Sequence, residues 1–135
     1  MDIHVTSQVL SAMGAAARAA HPREACGILL GHNEDGRERI TAFTEAANVH
    51  RSPEAHFEIH PQALIDAYRT ERSGGPRVLG YFHSHPTGDP RPSATDAAMS
   101  AGDGKIWAIA AGGDLRFWRD DPDRFYALSY AVIGR

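Results

Sequence analysis

The sequence predicts the α+β class, with a mixed central sheet flanked by helices. Three observations predict it. The length of 135 residues fits one domain, 1–135, with a core of its own. Short apolar segments bounded by glycine, proline or turn residues recur and predict strands. Segments with apolar residues at helical spacing alternate with them and predict helices.

In order along the chain, the first half is predicted to begin with a helix, which Thr6 or Ser7 caps and His21-Pro22 ends. Its apolar stripe recurs at spacings of four, three and four residues: Val9, Met13, Ala16 and Ala20. The predicted strands that follow are 24–31, a partner around 39–43 joined to it by a turn at 33–36, and 55–59. The first two are expected to pair antiparallel.

The second half is predicted to open with a helix at Pro61, since proline suits the first helical position, and to continue to about Arg72. His60 is expected at its cap. The remaining predicted elements are a strand from Val78 into the histidines that follow it, a helix from Ser93 to about Ala101, and strands at 106–111, 115–119 and 125–133.

Composition excludes several function classes. The net charge of -3, with scattered basic residues, argues against nucleic-acid binding. No apolar run reaches the length of a membrane span, and no secretory signal is visible, so we expect a cytoplasmic protein. Cys26 is the only cysteine, which rules out an intrachain disulfide and a cysteine-rich zinc site. Any metal must therefore be held by histidine and carboxylate.

Segment 80–96 predicts a metal site. Side chains two apart on a strand share a face, so His83 and His85 can reach one ion while Ser84 faces away. A proline- and glycine-rich loop follows, and Ser93 then caps a helix whose first turn carries Asp96. Two imidazoles and one carboxylate leave the fourth position of a tetrahedral zinc open for water, the ligand count of catalytic zinc.

Hydrolysis of an amide also needs a group that takes a proton from water and returns it to the leaving amine. Glu24, at the entrance of the strand 24–31, is the candidate for this role. It can reach the metal only if that strand lies beside the histidine strand, which the sequence does not show. An isolated acid at a strand entrance is more commonly just solvated.

These residues resemble the motif of JAMM (MPN+) metalloproteases of the Mov34/MPN/PAD-1 family. That motif is an upstream Glu, then His-x-His, seven residues, Ser, two residues and Asp. The chain matches it without a gap, at Glu24, His83, His85, Ser93 and Asp96. Segments 24–31, 48–49 and 57–61 also resemble the family, so the similarity covers almost the whole chain.

The resemblance implies a fold similar to cytidine deaminases, with Zn2+ held by His83, His85 and Asp96. It implies that Glu24 is the general acid/base and that Ser93 hydrogen-bonds the water or the oxyanion. Family members hydrolyse the amide or isopeptide bond after the C-terminal Gly-Gly of ubiquitin or ubiquitin-like proteins. No segment of this chain is long enough to be the insertions with which the eukaryotic deubiquitinases hold ubiquitin. The chain is closer to bacterial stand-alone members, which are similar to peptidases that free an amino acid, such as cysteine, from the Gly-Gly end of a small sulfur-carrier protein.

Three alternatives remain. The same fold occurs in metal-free interaction scaffolds, but those lack the ligands that this chain keeps. A deaminase would need His-x-Glu and Pro-Cys-x-x-Cys, which are absent. The histidine loop is also similar to the RadC branch of this superfamily, which is linked to DNA repair. The lack of a basic patch argues against this alternative.

Cys26 is interpreted as a core residue rather than a nucleophile. Trp107 and Trp118 are interpreted as core or interface aromatics, and the other histidines as surface or local hydrogen-bonding residues.

Overall fold

A computed structural model of the protein describes residues 1–135. It contains eight strands and three helices, in the order β1 (Ile3–Thr6), α1 (Ser7–Ala20), β2 (Cys26–Glu34), β3 (Arg37–Ala46), α2 (Pro61–Arg72), β4 (Arg77–Ser84), α3 (Ala94–Met99), β5 (Ile106–Ala111), β6 (Asp114–Asp120), β7 (Phe125–Leu128) and β8 (Tyr130–Ile133). The predicted α+β class is confirmed.

All eight strands form one mixed sheet in the order β7-β6-β5-β4-β2-β3-β1-β8. Strand β4 runs antiparallel to β2 and parallel to β5, so it lies at the centre. The two edge strands, β7 and β8, are separated in sequence only by Ser129. The sheet must therefore curl until its two edges meet at that residue.

The sheet has a core on each face, because alternate residues of each strand point to opposite sides. Leu29 of β2 and Ala25, the residue just before this strand, belong to the larger core, which also contains Val9 and Met13 of α1. Cys26 and Ile28 belong to the smaller core, against which residues of α2 pack. Helices α1 and α2 therefore cover opposite faces.

The predicted helix starts are confirmed. Thr6 caps α1, and its Oγ1 accepts a hydrogen bond from the Val9 amide at 3.2 Å. His60 caps α2, and its Nδ1 accepts from the Gln62 amide at 3.1 Å. Each side chain satisfies a helix-end donor that has no partner within the helix.

The predicted strand at 55–59 is wrong, since only an isolated bridge joins Asn48 to Ile59. The Asn48 side chain instead forms hydrogen bonds with backbone groups that would otherwise pair with a neighbouring strand. Its Oδ1 accepts from the Glu58 amide at 3.0 Å, and its Nδ2 donates to the His56 carbonyl at 2.9 Å. Side-chain hydrogen bonds of this kind compete directly with strand pairing.

The predicted strand at 125–133 is two strands, β7 and β8. Ser129 interrupts them because Asp2 holds it: the Ser129 amide donates to Asp2 Oδ2 at 2.8 Å, and Ser129 Oγ accepts from the Asp2 amide at 3.0 Å. Strand β1 was not predicted, since four residues are too few to show a pattern. Helix α3 ends at Met99, two residues before the predicted end.

None of the three helices combines the length and the apolar character needed to cross a membrane.

Candidate active site

The pairing of β2 with β4 brings the upstream glutamate to the histidines. Cys26 lies opposite His83 in this antiparallel pair. Beyond it, the Ser84 amide donates to the Ala25 carbonyl at 3.1 Å, and the Ala25 amide donates to Ser84 Oγ at 2.8 Å. Ser84 thus faces away from the histidines, as predicted, and fastens the start of β2 to the end of β4. Glu24, one residue earlier, is thereby placed beside His85.

The three predicted metal ligands converge. His83 Nε2 lies 3.1 Å from His85 Nε2 and 3.1 Å from Asp96 Oδ2, and His85 Nε2 lies 3.1 Å from the same oxygen. All three residues are largely buried, with side-chain exposures of 0%, 10% and 5% for His83, His85 and Asp96. The three atoms form a nearly equilateral triangle.

The loop between β4 and α3 sets the orientation of His85. Its Nδ1 lies 2.8 Å from the Asp89 carbonyl, which can only accept, so Nδ1 carries the proton and the Nε2 lone pair points into the triangle. The loop is itself held, because Trp118 Nε1 donates to the Pro90 carbonyl at 3.0 Å. Trp118 therefore supports the site from β6.

Aromatic rings enclose His83. Phe57 stacks on its imidazole with ring centroids 4.3 Å apart and an angle of 13° between the planes. Trp107 meets the imidazole edge-on at 5.6 Å. His83 Nδ1 is buried and has no hydrogen-bond partner. The ring is thus fixed by packing, whereas His85 is fixed by a hydrogen bond.

Asp96 is positioned by the first turn of α3. Ser93 and Asp96 form a capping box, in which the Asp96 amide donates to Ser93 Oγ at 3.0 Å and the Ser93 amide donates to Asp96 Oδ2 at 2.9 Å. The serine hydroxyl oxygen is used as an acceptor, which leaves its proton free to donate. The same carboxylate oxygen that caps the helix faces the two imidazoles.

This donor set fits a metal ion. Two imidazole nitrogens and a carboxylate oxygen are acceptors in the forms that bind metals, and they repel one another unless a cation or protons lie between them. Ligand atoms around a tetrahedral zinc, about 2.0–2.1 Å from the ion, lie about 3.3 Å from each other. The observed spacing of 3.1 Å is close to that value, and the three residues form a group able to hold one ion.

The pKa values of the cluster follow from burial and from the contacts. Burial lowers the pKa of His83, with Asp96 opposing the effect. Burial also acts to lower the pKa of His85, but the hydrogen bonds that the protonated ring makes to Asp96 and to the Asp89 carbonyl, together with the charges of Asp96 and Glu24, outweigh burial, so the pKa is raised. For Asp96, burial acts to raise the pKa, yet the bonds from both imidazoles hold it well below its usual range. The carboxylate is therefore ionised and ready to act as a ligand.

Glu24 has the properties of a proton carrier. It is only 7% exposed, and burial raises its pKa to about 7, with the Asp96 charge adding to the rise and His85 opposing it. Asn48 holds the backbone around it: Asn48 Nδ2 donates to the Glu24 carbonyl at 3.0 Å, and the Glu24 amide donates to the Pro53 carbonyl at 2.7 Å. A carboxyl group with a pKa near neutrality can both accept and return a proton.

Asn48, Phe57 and Trp107 support the site, but no role in it was predicted for them from the sequence. The contacts of Asn48 and Phe57 depend on the path of segment 48–59, which was wrongly predicted to be a strand, and the contact of Trp107 with His83 depends on the pairing of β5 with β4. The only available signal was that 48–49 and 57–61 resemble the family, without a role for any residue.

The residues interpreted as non-catalytic lie as expected. Cys26 is fully buried, and burial raises the pKa of its thiol to about 12, so it is not a nucleophile. Among the remaining histidines, His50 stacks on His56 with centroids 4.7 Å apart, and His32 lies 3.4 Å from Glu34. These are local contacts outside the ligand cluster.

Comparison with known proteins gives consistent similarities. A family model for prokaryotic homologs of the JAB domain matches residues 6–121. The chain is 34% identical to a desampylase from Haloferax volcanii over 82% of this chain and 79% of that protein. It is 25% identical to the CysO-cysteine peptidase of Mycobacterium bovis over 96% of this chain and 82% of that protein. The solution structure of a protein from Desulfitobacterium hafniense superposes with a TM-score of 0.85 at 28% identity, covering 98% and 94% of the two chains.

Proposed function

Because this chain belongs to the family of prokaryotic homologs of the JAB domain, we propose that it is a zinc-dependent peptidase or isopeptidase. Its substrate would be the amide bond after the C-terminal Gly-Gly of a ubiquitin-like or sulfur-carrier protein. The names of its relatives, a desampylase and a CysO-cysteine peptidase, support hydrolysis of such conjugates. The observation that carries the proposal is the convergence of His83, His85 and Asp96 next to a buried Glu24.

Each residue has a proposed role. His83, His85 and Asp96 would hold the metal. When bound, zinc would supply Lewis acidity and lower the pKa of a water molecule toward neutrality. Glu24, whose burial raises its pKa in the metal-free protein, would take the proton of the attacking water and deliver it to the nitrogen of the leaving amine. Ser93 would donate its free hydroxyl proton to the oxyanion of the substrate.

The first experiment is metal analysis of the purified protein and its variants. We expect about one zinc per chain in the wild type and in Glu24→Gln, and none in His83→Ala or His85→Ala. His32→Ala is the matched control, because it removes an exposed histidine outside the cluster. A folded wild-type protein that binds no metal would contradict the proposal and favour the scaffold alternative.

The second experiment tests the reaction. Ubiquitin-like and sulfur-carrier proteins with one residue added after Gly-Gly are incubated with the protein, with and without a chelator. We expect chelator-sensitive cleavage after Gly-Gly, which Glu24→Gln slows by about 10²- to 10⁴-fold. Full turnover by Glu24→Gln would remove that residue from the mechanism, and failure to cleave any carrier would refute the substrate class.

A further inference from the structure

Helix α3, which carries Asp96, receives little support from packing. Asp96 is its only buried residue, and with six residues the helix is too short to be stable through its own hydrogen bonds. Within the whole segment 86–105, Pro90 is the only other buried residue. The position of Asp96 therefore depends on the contacts that hold this segment before and after α3.

Strand β6 holds the segment on both sides of α3. Before the helix, Trp118 binds the Pro90 carbonyl through its indole nitrogen. After the helix, the carboxylate of Asp120 binds two backbone amides: its Oδ2 accepts from Ala101 at 3.1 Å, and its Oδ1 accepts from Gly102 at 3.2 Å. Trp118 and Asp120 are two residues apart on one strand, so both side chains point to the same face of the sheet.

All the polar groups of Asp120 bind the turn that follows α3. Its amide donates to the Lys105 carbonyl at 2.9 Å, and its carbonyl accepts from the Gly104 amide at 2.8 Å. Gly102 allows this turn to lie close to the end of β6, since its φ is 62° and a Cβ atom there would lie 2.9 Å from Cα of Pro122. The turn is thereby fixed to β6 and to the residues that follow it.

The Asp120 carboxylate is buried without a cation. The residue is 1% exposed and takes part in none of the protein's ion pairs. Burial raises the pKa of Asp120 and the charges of Asp103 and Asp121 add to the rise, whereas the hydrogen bonds from the Ala101 and Gly102 amides oppose it. Because an unpaired buried carboxylate is costly, these two hydrogen bonds are what stabilises its charge. The role that the contacts give this carboxylate is to hold the end of α3.

We propose that Asp120 is a positioning residue for the metal site, which holds the end of α3 so that the Asp96 carboxylate faces both imidazoles before a metal binds. The inference rests on the proposed function, because it takes Asp96 as a metal ligand. A ligand that is already in place needs less ordering when the ion binds, so the affinity for the ion is higher. Asp120 makes no hydrogen bond with the three ligands and acts through α3.

Asp120→Asn tests this role with nearly unchanged side-chain shape. Asparagine has one acceptor oxygen, and its NH2 group would face one of the two amides, so a hydrogen bond is lost and two donors are brought together. We expect the zinc affinity, measured by competition with a chromophoric chelator, to fall about tenfold. Asp103→Asn is the matched control, because it makes the same substitution in the same turn on an exposed side chain that accepts from the Lys105 amide. It should leave the zinc affinity unchanged.

A second control separates a loss of positioning from a loss of overall stability. Thr6→Ala removes the N-cap of α1, a helix that packs in the larger core. It should lower the midpoint of thermal unfolding without changing the zinc affinity. An unchanged zinc affinity in Asp120→Asn, or an equal loss of affinity in Thr6→Ala, would overturn the inference.

A second readout uses no metal. The Ala97 amide of α3 donates to the Ser93 carbonyl at 3.0 Å, so its hydrogen exchange in the metal-free protein reports local opening of the helix. We expect this exchange to be about fivefold faster in Asp120→Asn and unchanged in Thr6→Ala. Exchange at the wild-type rate in Asp120→Asn would show that α3 is held without this carboxylate, which refutes the inference.

The two readouts separate this inference from the proposed function. If the wild type binds no metal, the proposed function fails, whereas faster exchange at Ala97 in Asp120→Asn would still support the role of Asp120 in holding α3. If the wild type binds zinc and cleaves its carrier while Asp120→Asn keeps the wild-type zinc affinity, the proposed function stands and the inference is refuted.

Ala101→Pro provides the same test if Asp120→Asn does not fold. It removes one of the two amides that bind the carboxylate, at an exposed position. Ser100 before it has the extended backbone that the residue preceding a proline prefers, with φ -65° and ψ 141°. We expect the zinc affinity to fall about threefold, and an affinity equal to that of the wild type would contradict the role given to Asp120.

Discussion

Replacing Glu24 with glutamine should make the metal-free protein more stable at alkaline pH. Burial raises the pKa of this carboxyl from 4.5 to about 7. A group with a raised pKa in the folded state stabilises that state while it is protonated, and this contribution is lost as the pH rises from about 4.5 to about 7. Above that window, the wild-type protein must keep a charged carboxylate in a buried position, and Glu24→Gln need not.

The size of the effect follows from the pKa values. The difference of about 2.5 between 4.5 and about 7 corresponds to about 3.5 kcal/mol, at about 1.4 kcal/mol per pKa unit. At pH 5 the carboxyl group of the unfolded state is already partly ionised, so part of this energy difference is present there. Relaxation of the structure around the buried charge reduces the rest. We therefore expect the free energy of unfolding of Glu24→Gln, relative to wild type, to increase by about 2 kcal/mol between pH 5 and pH 8.

The measurement is denaturant unfolding of both proteins at pH 5 and pH 8 in the presence of a chelator, followed by tryptophan fluorescence. Effects of glutamine that do not depend on pH cancel when the two pH values are compared. Glu54→Gln is the control, because it makes the same substitution on an exposed side chain and should show a constant difference from wild type. A Glu24→Gln difference that stays within about 0.5 kcal/mol between the two pH values would refute the burial argument.

Three further predictions concern the same site. In the metal-loaded enzyme, kcat/KM should fall below about pH 6, because protons then compete with the metal for the ligand imidazoles and Glu24 must be ionised to accept a proton, and a pH–rate profile that is flat from about pH 5 to 8 would contradict this. Phe57→Leu removes the ring stacked on His83 and should weaken metal binding about three- to tenfold in a chelator competition, whereas an unchanged affinity would show that the stacking is dispensable. Asn48→Ala removes hydrogen bonds to five backbone groups and should lower the free energy of unfolding by about 2 kcal/mol in a denaturant titration, and a loss below about 0.5 kcal/mol would contradict the role given to this side chain.

The ligand cluster could be predicted from the sequence because it is local. His83 and His85 are two residues apart on a strand end, and Asp96 follows in the first turn of a helix, so strand alternation and helix capping determine their directions. The position of Glu24 is different in kind. It depends on the register of β2 against β4, two strands that are far apart in the sequence and are not joined by a hairpin turn that would fix which residues lie opposite each other.

The surroundings of the cluster could not be predicted for a related reason. Phe57 has the alternating neighbours of a strand residue, but the side chain of Asn48 draws this segment into a loop that lays the ring on His83. The split of the last predicted strand at Ser129 depends on Asp2, which is 127 residues away in the sequence. In each case one polar side chain, Asn48 or Asp2, forms hydrogen bonds with a segment that lies outside the range of local sequence patterns.

The capping box suggests the order in which this site would decay if selection for activity ceased. Ser93 and Asp96 satisfy each other's backbone amides at the start of α3, so they stabilise the fold whether or not a metal is present. His83 does not stabilise the metal-free fold in this way, because its Nδ1 is buried without a hydrogen-bond partner. An inactive descendant should therefore lose His83 before it loses the serine and the aspartate. A Ser-x-x-Asp pair without this histidine would then reflect helix capping alone, and only its combination with both histidines and Glu24 would indicate a working hydrolase.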